Sequence, residues 1–409
     1  MRILHVNKFL YRRGGAEAYM VEVAERQRSA GHEVTMFGME HPDNPPLPLA
    51  DTFPSLVEFD QPSHGPMEAG RALGRMLWST SARRGMARAV SVVRPDVVHL
   101  HNIYHALSPS ILGPAAAHGA GVVMTLHDYK LACPTYHFLD HGQICTACVD
   151  GGFRQAVRRR CKDGSLLRSA AGALELGLHT QLGAYDPVHR FVSPSRFLSE
   201  RMREAGVYPD RLRVLDNFVD VDTVEPRTEP GGPVVYAGRL SHEKGVDVLV
   251  ASMAHVPEAR LVVAGEGDRR DELEAQADRV APGRVRFVGR LPRDEVLDLV
   301  RSAGVAVLPS RWHENQPMAI IEAFAVGTPV AASDLGGVPE LVEHGETGWL
   351  VPPDDPMALA DALRAALGDP EDAHRMGKVA RARAESRFAP SRHLSALEQI
   401  YDEAREAAA

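Results

Sequence analysis

The stretch that decides the fold runs from Val305 to Val330, VAVLPSRWHENQPMAIIEAFAVGTPV. Its first residues, Val305 to Leu308, form an apolar run of the length and composition of a strand buried on both faces. Pro309 ends that run, a polar turn with Trp312, His313 and Glu314 follows, and a helix is expected to begin near Pro317. Proline suits a first helical turn, where the amide it lacks would have no partner. The free amides of Met318, Ala319 and Ile320, reinforced by the helix dipole, favour an anion such as a diphosphate. Two carboxylates bracket these amides, Glu314 in the turn and Glu322 on the helix, with seven residues between them. Glutamate on a helix is ordinarily solvated, so the pair takes its meaning from the surrounding chain.

The same unit recurs on both sides. Strands expected at Val234–Ala237, Arg260–Ala264, Val285–Val288, Val305–Leu308 and Pro329–Ala332 alternate with helices starting near Lys244, Arg269, Arg293, Pro317 and Val338. Successive units of this kind predict a parallel, doubly wound sheet with right-handed crossovers. Glycine and charge gather at the strand exits: Gly238-Arg239-Leu240 before Glu243-Lys244-Gly245, then Gly265-Glu266-Gly267, Gly289-Arg290-Leu291 and the turn containing Gly336-Gly337. Arg239 and Lys244 at one mouth repel each other unless an anion lies between them, and a diphosphate would serve.

The amino-terminal half carries a second alternating set. Strands are expected at Arg2–Val6, His32–Met39, Asp96–Leu100, Val122–Leu126, Arg190–Val192 and Leu212–Leu215. Helices are expected over Ala16–Ala30, Ala69–Val93 after a proline-rich connection from Pro42 to Pro66, Leu166–Leu182, and Arg196–Ala205 with Ser195 as its cap. Gly14-Gly15 opens the first helix and lets backbone approach a ligand; the full Gly-x-Gly-x-x-Gly is missing, so an ordinary tight turn stands beside that reading. His99, Asn102 and His105 read as structural hydrogen-bonding groups, whereas His127 ends a strand where ligands of open sheets collect. Pro226, Pro230 and a Gly-Gly pair mark a linker over 221–232, between domains of 1–220 and 233–388, and a closing helix is expected over Leu394–Glu403 within 389–409.

With 409 residues and 44% hydrophobic content, the chain can fill two cores. A net charge of −8 argues against a general nucleic-acid binder. No signal peptide is visible and no run reaches the about 18 apolar residues of a membrane span, which leads to the expectation of a cytoplasmic protein. Cys133, Cys145, Cys148 and Cys161 fall in one segment, expected as an insertion over about 130–165. They read either as a structural zinc site or as free thiols, ahead of disulfides. Arg154, Arg158, Arg159, Arg160 and Lys162 read as a solvated helix face, with peripheral contact to the inner face of an anionic plasma membrane as the alternative.

Glu314-x7-Glu322 at a strand-to-helix turn, with Arg239 and Lys244 upstream, resembles the signature of retaining glycosyltransferase family 4, whose members have the GT-B fold of two Rossmann-like domains facing across a cleft. Asn315-Gln316-Pro317 departs from the small residues and glycine usual there, and some similar members share the four-cysteine insertion. The resemblance implies α-retaining, metal-independent transfer of a hexosyl or N-acetylhexosaminyl group from a nucleoside diphosphate sugar, UDP- or GDP-linked, to an acceptor hydroxyl on a saccharide, lipid-linked glycan or small-molecule glycoside. It implies that Arg239 and Lys244 neutralise the leaving diphosphate, that Glu314 holds sugar hydroxyls and Glu322 the ribose, and that His127, within Thr125-Leu126-His127-Asp128-Tyr129, faces the sugar. Gly14 and Gly15 would border the cleft, Gly238 and Gly265 would line the donor, and Gly289-Arg290-Leu291 would read the base through backbone. The C-terminal helix would cross back to the first domain. Rival readings are another GT-B enzyme, an epimerase or phosphorylase, and a non-catalytic nucleotide-sugar-binding protein.

Overall fold

Short runs rich in valine and alanine have no polar face, so they pair only where helices cover both sides of a sheet. The computed structural model, which describes residues 1–57 and 66–409, contains two such sheets. In the first half the strands are β1 (Arg2–Val6), β2 (Glu33–Phe37), β3 (Val97–Leu100), β4 (Gly121–Thr125), the two-residue arms of a hairpin, β5 (Leu139–Asp140) and β6 (Gln143–Ile144), then β7 (Arg190–Ser193) and β8 (Leu212–Val214). In the second half they are β9 (Val234–Ala237), β10 (Leu261–Ala264), β11 (Val285–Gly289), β12 (Val305–Leu308), β13 (Val330–Ser333) and β14 (Gly348–Val351). The sheets run β2-β1-β3-β4-β7-β8 and β11-β10-β9-β12-β13-β14, and every pairing within them is parallel. Both are doubly wound Rossmann-like sheets, as expected.

Strand order reverses between β1 and β3 in the first sheet and between β9 and β12 in the second. Loops leaving the carboxyl ends of such neighbours diverge to opposite faces and open a crevice, so these two points are where ligands of the fold settle.

Two expectations change. The helix expected over Ala69–Val93 is two, Pro66–Leu77 and Thr80–Val93, because Ser79 accepts the amide of Ala82 and restarts the turn. The start expected near Val338 is a single 3₁₀ turn, Val338–Glu340, and the chain then adds β14 at the sheet edge. Part of the Pro42 to Pro66 connection lies outside the described residues.

The last helix, Pro390–Ala408, starts on proline and lies against the first sheet, not the second. Leu397, Ile400, Tyr401 and Ala404 are buried with Ile3, Val97, Val123 and Val192. Each buried large aliphatic side chain contributes about 1.5–3 kcal/mol to holding it there. Among the described residues no helix is long and apolar enough to cross a membrane.

Candidate active site

The crevice between β9 and β12 is built by two loops. After β9 the chain runs through Gly238 and Arg239 to a 3₁₀ turn, His242–Lys244, and enters the helix Val246–Ser252. After β12 it runs from Pro309 to Pro317, which caps the helix Met318–Ala325 without offering a side-chain acceptor. The first-turn amides of Met318 and Ala319 therefore face the crevice mouth without intrahelical partners.

Lys244 Nζ donates to Glu314 Oε1 at 2.6 Å, and the Ser310 hydroxyl donates to the same oxygen at 2.7 Å. Glu314 is 5% exposed, so this charge is nearly enclosed and its geometry fixed. The Lys244 ammonium also sits 5.1 Å from the Trp312 ring centroid. Arg239 pairs with Glu243 at 2.5 Å from an exposed position. Burial would raise Glu243, but local hydrogen bonds and the Arg239 guanidinium outweigh it and hold the carboxyl low. Each cation thus has a carboxylate already, and the repulsion inferred from sequence is relieved inside the protein. Glu322 accepts Arg293 Nε at 3.1 Å; burial raises its pKa and Arg293 opposes the rise.

On either side of Glu314, Trp312 Nε1, His313 Nδ1 and Asn315 Oδ1 are buried without hydrogen-bond partners. Buried polar atoms are nearly always paired, so three orphans in four residues mark a surface made for a polar ligand.

The second half of the crevice wall comes from the other domain. The carbonyl of His127 accepts Asn315 Nδ2 at 2.9 Å, and Tyr129 donates to the His313 carbonyl at 3.1 Å. Gln316 donates to Asp216 Oδ1 and accepts the amide of Asn217, both at 2.5 Å. His127 and the Glu314 loop, far apart in sequence, are therefore neighbours. Burial pulls the His127 pKa down to about 4 and pushes Asp128 up to about 6.

The glycines divide by role. At the ends of β9, β10 and β11, Gly265 has φ +145° and a Cβ there would stand 1.8 Å from the Gly238 carbonyl oxygen. Gly265→Ala is expected to cost about 3 kcal/mol or more, read as a lowered urea midpoint. Gly336 and Gly337 lie under the Glu314 loop: the Gly337 amide donates to the Glu314 carbonyl at 2.7 Å, and Cβ atoms would strike Glu314 and Asn315. In the sequence the pair marks only a glycine-rich turn. Gly14 and Gly15, by contrast, have no neighbour that a side chain would strike hard, so packing does not demand them. Gly289 joins the β10–β11 edge through a 2.7 Å bond from the Gly265 amide; Arg290 is exposed and Leu291 half-buried beyond it.

A cavity of about 660 Å³ opens beside the β1–β3 switch, lined by Lys8, Gly14, Glu17, Asn102, Tyr104 and Asp128 among others. Asn102 Oδ1 and Tyr104 Oη are buried there without partners.

The cysteines stay free thiols. Cys133 is in the first core with its sulfur 3.3 Å from the Thr135 hydroxyl, and Cys161 donates to Asp140 at 3.6 Å. Among the described residues the one metal-competent group within 4.8 Å is His5, His99 and His101, so the sulfurs form no tetrahedral cluster. Burial pushes the Cys148 thiol up to about 11, with Cys133 and Cys145 close enough to add to the rise. Each nitrogen of those three histidines already has a protein partner. Protein purified under reducing conditions is expected to carry no stoichiometric zinc by elemental analysis; one zinc per chain would reverse this.

Residues 13–223 match the family model described as Glycosyltransferase Family 4, which alone spans half of the chain, and residues 225–383 match Glycosyl transferases group 1. The chain belongs to glycosyltransferase family 4. The transferase is 28% identical to a glycogen synthase of Mycobacterium tuberculosis, covering 95% of this chain and 91% of that one. It is likewise 28% identical to a phosphatidyl-myo-inositol mannosyltransferase of Mycolicibacterium smegmatis, covering 90% and 84%. Sucrose-phosphate synthase from Thermosynechococcus elongatus superposes with a TM-score of 0.72 at 20% identity over 99% of both chains. Anabaena HepE, solved with UDP and glucose, gives 0.67 at 20% identity over 98% and 99%. These neighbours identify the transferase's two sheets as a GT-B pair.

Proposed function

We propose that the protein is an α-retaining, metal-independent hexosyltransferase that uses a UDP- or GDP-sugar and glycosylates an acceptor hydroxyl. The observation carrying this is the Glu314 loop: an enclosed carboxylate held by Lys244 and Ser310, with orphaned polar atoms around it, at a strand-order reversal. In this reading the donor phosphates take the place of Glu243 on Arg239 and meet Lys244 and the amides after Pro317. Fixed cations at a leaving diphosphate give the stabilisation that a divalent ion gives elsewhere. Glu314 holds hydroxyls of the sugar, Glu322 the ribose, and His127 approaches the sugar from the opposite domain. Gly238, Gly265, Gly289, Arg290 and Leu291 border the nucleoside.

The acceptor enters through the cavity at the β1–β3 switch, where Asn102 and Tyr104 offer unused polar atoms and Gly14-Gly15 leaves space. Residues 1–220 then serve the acceptor and 233–388 the donor. The relatives named as acting on a lipid inositol and on glycogen are consistent with either a lipid-linked or a saccharide acceptor. Exposed Leu166 and Leu167 beside Arg154, Arg158 and Arg160 suit the reading of peripheral contact with an anionic cytoplasmic leaflet.

Donor hydrolysis over a panel of UDP-, GDP-, ADP- and dTDP-sugars tests the assignment. Slow release of sugar with retained configuration from one donor is expected, without added metal and undiminished by chelator. Tight nucleotide binding with no release from any donor would favour a non-catalytic binder.

A further inference from the structure

A hydrogen-bonded chain leads from His127 through the first domain to the C-terminal helix. His127 Nε2 lies 3.1 Å from His101 Nδ1, and His101 Nε2 lies 3.1 Å from His5 Nδ1. His5 Nε2 is 2.7 Å from Gln27 Oε1, and Gln27 Nε2 donates to the Tyr401 hydroxyl at 3.0 Å. Tyr401 is 2.8 Å from His99 Nδ1, and His99 Nε2 is 2.7 Å from the Thr125 hydroxyl. Tyr19 meets His393 Nε2 at 2.9 Å, and His393 Nδ1 meets the backbone carbonyl of Asp216 at 2.7 Å. Burial keeps all five imidazoles neutral: His5, His127 and His393 titrate near 4, and His99 and His101 well below the ordinary value.

A neutral imidazole donates from one nitrogen and accepts at the other, so each link fixes the next. The Asp216 carbonyl can only accept. His393 therefore holds its proton on Nδ1 and accepts from the Tyr19 hydroxyl. The Gln27 amide sets the direction of the rest: its nitrogen donates to Tyr401, Tyr401 donates to His99 Nδ1, and His99 Nε2–H donates to Thr125. Gln27 Oε1 accepts from His5 Nε2–H, His5 Nδ1 from His101 Nε2–H, and His101 Nδ1 from His127 Nε2–H. With its nitrogen on Tyr401 and its oxygen on His5, the Gln27 amide fixes the direction of both arms.

We propose that this chain holds His127 as its Nε2–H tautomer, so that Nδ1 is an acceptor to which a hydroxyl of the bound donor sugar donates. No hydrogen bond from another described residue occupies Nδ1. The sugar contact rests on the reading of His127 given above; the tautomer does not. Gln27, Thr125 and Tyr401 are positioning residues, acting on His127 through its neighbours. Tyr401 belongs to the helix Pro390–Ala408, which makes that helix part of the site's proton order.

Long-range ¹H–¹⁵N correlation spectra of ¹⁵N-histidine-labelled full chain, assigned with His127→Gln, test it without any donor. At pH 7 His127 is expected as Nε2–H; an Nδ1–H or imidazolium His127 overturns the proposal. Tyr401→Phe frees Gln27 to turn over, so His127 should become a mixture of tautomers. An unchanged His127 in a folded Tyr401→Phe protein, or in Thr125→Val if the first variant does not fold, overturns it. Gln27→Glu keeps an acceptor on His5 and should leave His127 as Nε2–H, which a loss of packing alone would not predict. Half-populating the competent tautomer raises donor KM about twofold with kcat little changed. Finally, adding the UDP- or GDP-sugar found active in the donor panel should move the His127 Nδ1 resonance toward hydrogen-bonded values; no movement discards the sugar contact while leaving the tautomer result standing.

Discussion

Arg239→Ala and Lys244→Ala are each expected to lower kcat by roughly 10²-fold or more, the loss seen when one preorganised donor to a developing charge is removed. The two should separate on stability. Arg239 holds Glu243 from the surface, and exposed pairs of this spacing contribute about 0.3–0.5 kcal/mol, so its loss should leave the unfolding midpoint almost unmoved. Lys244 neutralises a carboxylate that is 5% exposed, and breaking such a pair leaves a stranded charge at about 3 kcal/mol. Lys244→Ala with Glu314→Gln should therefore recover stability and stay inactive. Turnover within a few-fold of the parent in both single variants would remove the diphosphate from this site.

Lys130→Met should destabilise the first domain by roughly 3–5 kcal/mol, measured by urea denaturation. Lys130 Nζ donates to Glu175 Oε2 at 2.6 Å with both side chains only 2% exposed, and His105 Nδ1 lies 3.0 Å from the other carboxylate oxygen. Burial alone would raise the Glu175 pKa, but the Lys130 ammonium and the His105 bond overcome it and hold the carboxyl well below its ordinary value. A carboxyl with a depressed folded pKa stabilises fully above its unfolded value, near 4.5, and that contribution drains away as pH falls toward about 2. The parent should thus lose stability over that acid window, and Lys130→Met should lose less there because the pairing is already gone. Lys130→Met with Glu175→Leu should regain most of the midpoint, since a well-packed apolar pair replaces a buried ionic one at little cost. Full stability of Lys130→Met at pH 7 would show that the pair carries no such weight.

Parallel strands were legible because burial on both faces leaves them no polar alternation, and Val305 to Leu308 could hardly be anything else. The edge strand β14 was not: Gly348-Trp349-Leu350-Val351 is four residues long and follows a loop, while Pro339 in a 3₁₀ turn imitates a helix start. Motif residues on one loop, such as Glu314 and the amides after Pro317, could be placed from spacing alone. Partners that meet across the fold could not. Nothing in the sequence ties Arg293 to Glu322 or Lys130 to Glu175, and the path from His5 to Tyr401 joins residues from opposite ends of the chain. One signal was available: His99 on β3 and His101 just past its end alternate, and His5 lies opposite His99 in the register of β1 against β3. Alternating histidines in a strand too apolar to need them point inward, toward each other.

The bonds from Asn315 to the His127 carbonyl, from Tyr129 to the His313 carbonyl and between Gln316 and Asp216 all fall on the short loop that carries Glu314. The two halves of the molecule cannot swing apart without letting go of that loop. The proposed donor pocket is accordingly complete only in the latched form, and an unlatched molecule can admit or release cargo while Glu314 stays on Lys244 and Ser310.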